Sequence, residues 1–254
     1  MANPHGSWIW YELLTSDAPA AIDFYRRVIG WVPTKFPGAP GDYTIVNAGS
    51  EGNGVGGIMP NPMDTAPVWL GYIGVDDVDA SVALIESLGG TVHMPPTTME
   101  GVGRMALVQD PQGAKFHVMR GASPEDSRAY SRTEMGKASW NELQTGDDSA
   151  ALDFYGRAFG WKKNGAMPMP WGEYSFLHMS GDDAVWGAMM PRENSERAIG
   201  WTFYFRVPDI DAAHAKVREL GGTPHSDPME VPGGERVFHA SDPQGATFGL
   251  VAPR

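Results

Sequence analysis

One long motif occurs twice in this chain. Trp10-Tyr11-Glu12-Leu13-Leu14-Thr15-Ser16-Asp17, then Ala21-Ile22-Asp23-Phe24-Tyr25 and Gly30-Trp31, return 130 residues later as Trp140-Asn141-Glu142-Leu143-Gln144-Thr145-Gly146-Asp147, Ala151-Leu152-Asp153-Phe154-Tyr155 and Gly160-Trp161. A second set, Leu88-Gly89-Gly90-Thr91 with Asp110-Pro111-Gln112-Gly113-Ala114, recurs 132 residues on as Leu220-Gly221-Gly222-Thr223 with Asp242-Pro243-Gln244-Gly245-Ala246. Two homologous repeats therefore fill the 254 residues, and each position can be compared with its twin. The expected division is a first domain over 1–121, a linker over 122–136 and a second domain over 137–254, each domain large enough for its own core.

Composition narrows the function classes. No apolar run approaches the ~18–20 residues of a membrane span, and the short polar start, Met-Ala-Asn-Pro-His-Gly, lacks a signal-peptide pattern, so a soluble cytoplasmic protein is expected. With no cysteine, disulfides, thiolate metal sites and cysteine nucleophiles are excluded. The net charge of -12 is shared by both repeats, so neither offers the basic footprint of a nucleic-acid binder. A small molecule is the expected partner, with neither nucleic acid nor membrane.

Within each repeat the pattern divides again. Residues 8 to 14 read as a strand, Asp17 stands where a helix N-cap belongs, and Ala21, Phe24, Tyr25 and Val28 follow at helical spacing up to Gly30. Short β-prone segments come next, around 31–36, 43–47 and 55–59. The same order restarts at Val68 to Val75, with Asp76-Asp77, a helix through Val82, Ile85 and Leu88, and strands near Thr91, at 104–109 and at 115–119. The unit is β-α-β-β-β, present four times, and the Met94–Gly103 and Ala166–Tyr174 stretches read as loops.

The ordered set of Phe24-Tyr25, Gly30-Trp31, Val75-Asp76-Asp77, Gly89-Gly90 and Asp110-Pro111-Gln112-Gly113, repeated in the second half, resembles the vicinal oxygen chelate superfamily of glyoxalases, bleomycin resistance proteins and extradiol dioxygenases. The Trp-x-Glu-Leu-x-Thr opening and Val55-Gly56-Gly57 are similar to its two-domain glyoxalase-like branch. The resemblance implies an α+β fold: tandem glyoxalase-like domains, each of two βαβββ modules forming an eight-stranded curved sheet, or cup, with helices outside. It also implies four inward ligands, usually His and Glu, around one divalent metal in each cup. Carried over by position, those ligands fall on Trp10, Gly57, Leu70 and His117, and on Trp140, Gly187, Thr202 and Gly249. One side chain of the eight can bind a metal, whereas a catalytic site needs about three protein ligands. No metal and no cofactor are expected.

Strand alternation then places Trp10 and Glu12 on one face of the first strand, and Trp140 and Glu142 on its twin. An indole offers a platform for planar or cationic groups, and a carboxylate can take a proton or pair with a cation; the competing reading makes both pairs core. The same parity adds Tyr72 and Tyr204 as ligand-binding residues. Arg104 and Arg236, six residues before the Asp-Pro turns, are expected either to meet the ligand or the glutamates, or to be solvated. Glu12 and His117 are the candidate catalytic residues. The expected function is metal-independent binding of a small aromatic or carbonyl-containing molecule; the alternative is a lyase, isomerase or cofactorless hydroxylase with Glu12 or His117 as base. Internal duplication points to a monomer, with a homodimer as the alternative.

Overall fold

The computed structural model describes residues 3–36, 42–62, 65–179, 184–195 and 198–254. The first repeat runs β1 (Trp8–Thr15), α1 (Ala18–Val28), β2 (Trp31–Lys35), β3 (Thr44–Ala48), β4 (Gly54–Pro60), β5 (Val68–Gly74), α2 (Val78–Ser87), β6 (Thr91–Met99), β7 (Gly103–Gln109) and β8 (Lys115–Gly121). The second runs β9 (Ala138–Thr145), α3 (Asp148–Phe159), β10 (Trp161–Met169), β11 (Gly172–Met179), β12 (Gly187–Pro191), β13 (Gly200–Arg206), α4 (Ile210–Glu219), β14 (Thr223–Pro224), β15 (Met229–Val231), β16 (Glu235–Ser241) and β17 (Thr247–Pro253).

One sheet takes the order β2-β3-β4-β1-β5-β8-β7-β6, the other β10-β11-β12-β9-β13-β17-β16-β14 with β15 beside β16. The ninth strand arises because the counterpart of β6 is split into β14 and β15 around Asp227-Pro228. Two stretches expected to be loops are largely strand. β6 carries Pro95 and Pro96, yet it is an edge strand paired only with β7, so the missing amide hydrogens break no ladder on its outer side. β10, likewise an edge strand, carries Gly165 and Pro168 beside an irregular register against β11. No helix among the described residues is long and apolar enough to cross a membrane.

Helix starts follow the sequence. Asp17, Asp77, Asp147 and Asp209 each accept a hydrogen bond from the amide three residues on, which satisfies one of the donors a helix leaves unpaired.

The chain forms two compact units, and each takes modules from both repeats. Unit 1 comprises residues 1–9, 71–127 and 141–201; unit 2 comprises 10–70, 128–140 and 202–254. The 122–136 segment is largely exposed and is pinned at a few points. In unit 1 the Ser127 hydroxyl donates to the Ile9 carbonyl at 2.6 Å, and in unit 2 Ala129 is fully buried and the Gly136 amide donates to the Arg206 carbonyl.

The Asp-Pro-Gln-Gly motif organises both units. In unit 1 Asp110 accepts three amides of its own turn on Oδ1, while Oδ2 accepts the Tyr155 hydroxyl of α3 at 3.0 Å. In unit 2 Asp242 holds its turn in the same way and accepts the Tyr25 hydroxyl of α1 at 3.0 Å. Trp201 and Trp69 donate their indole N–H to these two hydroxyls. Burial, and next to it the neighbouring aspartate, holds both phenols far above their ordinary range. Around them lie stacked and edge-on rings, Tyr155 with Trp161 and Trp201 in unit 1, and Tyr25 with Trp31 and Trp69 in unit 2. Removing either hydroxyl strands a buried carboxylate oxygen and an indole N–H. Tyr25→Phe and Tyr155→Phe are therefore each expected to lower stability by about 1–3 kcal/mol, read from urea denaturation.

Candidate functional site

On β1 the fully buried Tyr11 and Leu13 face the core of unit 2, where Tyr11 packs edge-on against Phe203 and Phe205. Trp10 and Glu12 alternate to the other face. There the Trp10 indole donates to the Tyr43 hydroxyl at 2.8 Å, and that hydroxyl is hydrogen-bonded to the Glu12 carboxylate. Glu12 is only 7% exposed. Burial first, and then the charge of Glu12, holds the Tyr43 phenol well above its ordinary range, so it stays protonated and donates.

The position of Tyr43 depends on a missing side chain. Gly57 of β4 lies in register with Glu12, and a Cβ there would come within 2.1 Å of the Tyr43 hydroxyl. The phenol leaves the start of β3, passes over Gly57 and ends at β1. Tyr204 repeats the device in the same unit. From β13 it lies over Gly249 of β17, where a Cβ would come within 2.4 Å of its ring, and its hydroxyl bonds Nε2 of His239 on β16. Gly57 and Gly249 are two of the positions at which the family resemblance implies metal ligands.

Unit 1 carries the matching pairs. Tyr174 donates to Glu142 Oε2 at 2.7 Å, and Glu142 is 3% exposed. Tyr72 stacks on His117 with centroids 4.1 Å apart and planes 7° from parallel. Where Gly249 lets Tyr204 cross its strand, the imidazole of His117 blocks the same path for Tyr72, so the rings stack. Burial, against a hydrogen bond with the Ala106 backbone, lowers the His117 pKa to about 3. Its Nδ1 has no hydrogen-bond partner among the described residues. Each unit thus holds one Glu–Tyr and one Tyr–His pair, and Glu12 and His117 belong to different units.

Several expected placements change. Arg104 and Arg236 are occupied elsewhere: Arg104 forms a two-pronged ion pair with Asp79 of α2, both contacts 2.6 Å, and Arg236 does the same with Asp211 of α4 at 2.5 and 3.0 Å. The cause is parity. Leu107 is opposite His117 in the β7–β8 register, so Arg104, three residues away, projects from the other face; Arg236 stands in the same relation to His239. Each guanidinium holds its aspartate below the usual carboxylate range. Both arginines thus anchor a helix through an ion pair at the sheet's other face. In the second repeat the position facing Glu142 is Ala188 rather than Gly187, because the offset between the repeats is 131 on this strand. Trp140 is covered by the Arg132 guanidinium, 4.8 Å from its ring centroid.

Tyr43, Tyr174, His239 and Glu235 escape the sequence reading. Tyr43 and Tyr174 are twins 131 residues apart, a match hidden by the one-residue change of offset. His239 is the twin of Leu107, and the register places both directly across from the residues 117 and 249; the imidazole has moved to the neighbouring strand. The ion pair of Arg206 with Glu235 has no counterpart in the first repeat, where Gly74 and Gly103 stand.

A divalent ion does not fit these residues. Positions 57 and 249 are filled by tyrosine rings, positions 10, 70, 140, 188 and 202 hold Trp, Leu, Trp, Ala and Thr, and His117 alone remains. Among the described residues no three His, Asp or Glu side chains converge in metal-binding geometry.

The sequence model of the Glyoxalase/Bleomycin resistance protein/Dioxygenase superfamily matches residues 9–118 and 137–250. A protein of Mycobacterium tuberculosis named "Putative glyoxylase CFP32" is 34% identical over 250 residues, covering 96% of this chain and 94% of that protein. The "Anthracycline biosynthesis protein DnrV" of Streptomyces peucetius is 32% identical over 271 residues, covering 98% and 94%. Among solved structures, the Mn(II)-bound glyoxalase from Novosphingobium aromaticivorans shares the fold with a TM-score of 0.68 at 17% identity, over 98% of this chain and 82% of that one. The 2,3-dioxygenase LapB from Pseudomonas sp. KL28 does so with 0.65 at 13%, over 98% and 93%.

Proposed function

The chain belongs to the glyoxalase/bleomycin resistance protein/dioxygenase superfamily, and from that premise we propose that it binds a small aromatic or carbonyl-containing molecule without a divalent metal. The observation that carries this reading is the tyrosine laid over Gly57 and bonded to Glu12: phenol and carboxylate occupy the space in which a metal ligand would start. The Trp10-Tyr43-Glu12 chain combines a flat apolar surface with a buried hydrogen-bonding group, a combination suited to a planar ligand with a polar edge. Relatives named for anthracycline biosynthesis make polycyclic, carbonyl-bearing aromatics the first compounds to test.

In a tryptophan-fluorescence titration with such a compound, Glu12→Gln and Tyr43→Phe are each expected to weaken binding about tenfold, the loss of one well-placed hydrogen bond. Unchanged affinity in both variants would remove Glu12 from the site.

The second reading is an enzyme of the lyase, isomerase or cofactorless hydroxylase type, with Glu12 as its base, its carboxylate oriented by the Tyr43 hydrogen bond. His117 contributes little to it, because an imidazole that is protonated only near pH 3 is a weak proton acceptor at neutrality. On this reading Glu12→Gln suppresses turnover at least ~100-fold while His117→Ala does not. The duplicated chain is proposed to work as a monomer.

A further inference from the structure

Unit 2 contains a cluster that the binding reading above does not use. Arg206, at the end of β13, is 4% exposed and forms an ion pair with Glu235, the first residue of β16. Arg206 Nε also donates to the Ser139 hydroxyl at 3.2 Å. A second guanidinium converges on the same carboxylate: Arg132 reaches Glu235 at 3.5 Å and the Ser139 carbonyl at 3.5 Å. Both distances are long for charge-assisted hydrogen bonds, and the same side chain also hydrogen-bonds the Tyr130 hydroxyl. The same guanidinium lies over the Trp140 ring.

Two cations, the buried Arg206 and the exposed Arg132, share one carboxylate in a chain whose net charge is -12 and leave one positive charge over. A buried ion pair does little for stability by itself, and the first repeat manages without one, having Gly74 and Gly103 at the equivalent positions. The carboxylate itself sits next to Gly233-Gly234, both in left-handed conformations at the tip of the hairpin. An arginine over an indole is restrained by the ring and can present an N–H edge beside it. That edge suits a carboxylate coplanar with an aromatic ring, which would extend the stack beside Trp140.

We propose that Glu235 is an internal stand-in for the carboxylate of a planar aromatic acid, which enters by exchange onto Arg206 and Arg132 beside Trp140. The inference rests on the small-molecule reading and adds the ligand's charge. It also makes the second repeat a site of different chemistry from the Trp10-Tyr43-Glu12 chain.

The test uses the full chain with two probes, anthraquinone-2-carboxylate and its neutral carboxamide, titrated by fluorescence and calorimetry. Glu235→Gln removes the competing charge and is expected to tighten the carboxylate about tenfold, while Arg132→Gln weakens it about tenfold; the carboxamide is unaffected by either change. Should Glu235→Gln not fold, the carboxylate-selective loss in Arg132→Gln decides. Carboxylate affinity within about twofold of wild type in the folded variants overturns the proposal, as does an equal response of the carboxamide. Carboxamide binding to the wild type with no effect of Glu235→Gln on the carboxylate sinks this inference alone. Absence of binding by either probe, in wild type and variants alike, sinks the small-molecule reading with it.

Discussion

Adding a methyl group at Gly56 or Gly187 is expected to destabilise the protein by about 3 kcal/mol or more, among the larger effects a single methyl can have. Gly56 lies opposite Tyr11 in the parallel pairing of β4 with β1, and Gly187 lies opposite Asn141 in the pairing of β12 with β9. A Cβ at Gly56 would stand 2.0 Å from the Tyr11 carbonyl oxygen, and one at Gly187 2.2 Å from that of Asn141. Neither atom is the movable end of a side chain, so relief requires the central strands to separate and their ladder to break. The measurement is urea denaturation of Gly56→Ala and Gly187→Ala, with a lower midpoint at unchanged slope as the expected result. Gly121→Ala is the control: nothing lies within 4 Å of its Cβ position, and a change within about 0.5 kcal/mol is expected.

The second large effect is a pH dependence carried by His117. Its pKa falls from 6.5, the ordinary value for an unfolded chain, to about 3 in the fold, principally because burial disfavours the imidazolium. Protonation therefore favours unfolding. The stabilising contribution of the neutral ring is complete above pH 6.5 and is lost progressively as pH falls from there toward about 3. One such group weakens the fold by about 1 kcal/mol at pH 5.5 and by about 2–3 kcal/mol at pH 4.5, relative to neutral pH. Comparing denaturation of the wild type and His117→Leu across this range isolates the effect, since other titrating groups are common to both proteins. The difference between the two should change by that amount; a constant difference would show that the ring is not held neutral.

Much of the architecture is legible in the repeat. The aspartate caps, the aromatic pairs Phe24-Tyr25 and Phe154-Tyr155 and the Asp-Pro-Gln-Gly turns mark elements whose local chemistry admits few alternatives, and four β-α-β-β-β modules follow from their order. The edge strands were harder to read. Pro95, Pro96 and Gly165 carry the composition of loops, and only their place at a sheet edge makes a strand acceptable there. The composition of the compact units was not legible either, because the partners of Tyr25 and Tyr155 lie 217 and 45 residues away in other modules.

Of the candidate site, Glu12, Glu142, Trp10 and the two tyrosines Tyr72 and Tyr204 could be placed on strand faces by alternation alone. Their partners could not, for a geometric reason. Tyr43 and Tyr204 act across an intervening strand through the gap over a glycine, and no periodicity along a single strand reports a side chain that reaches two strands away. Arg104 and Arg236 show the converse: their distance from the Asp-Pro turns is conspicuous in the sequence, but an odd count from Leu107 and His239 turns them toward Asp79 and Asp211. The empty positions 57 and 249, expected only to lack metal ligands, prove to be shaped for tyrosine.

Metal independence is tested by one binding titration with a planar aromatic, carbonyl-bearing probe on chelator-treated protein, repeated after addition of stoichiometric Mn(II), Ni(II) or Zn(II). With Tyr43 over Gly57 and Tyr204 over Gly249, the same affinity is expected in every case. Binding that disappears on chelation and returns with one equivalent of metal would contradict it.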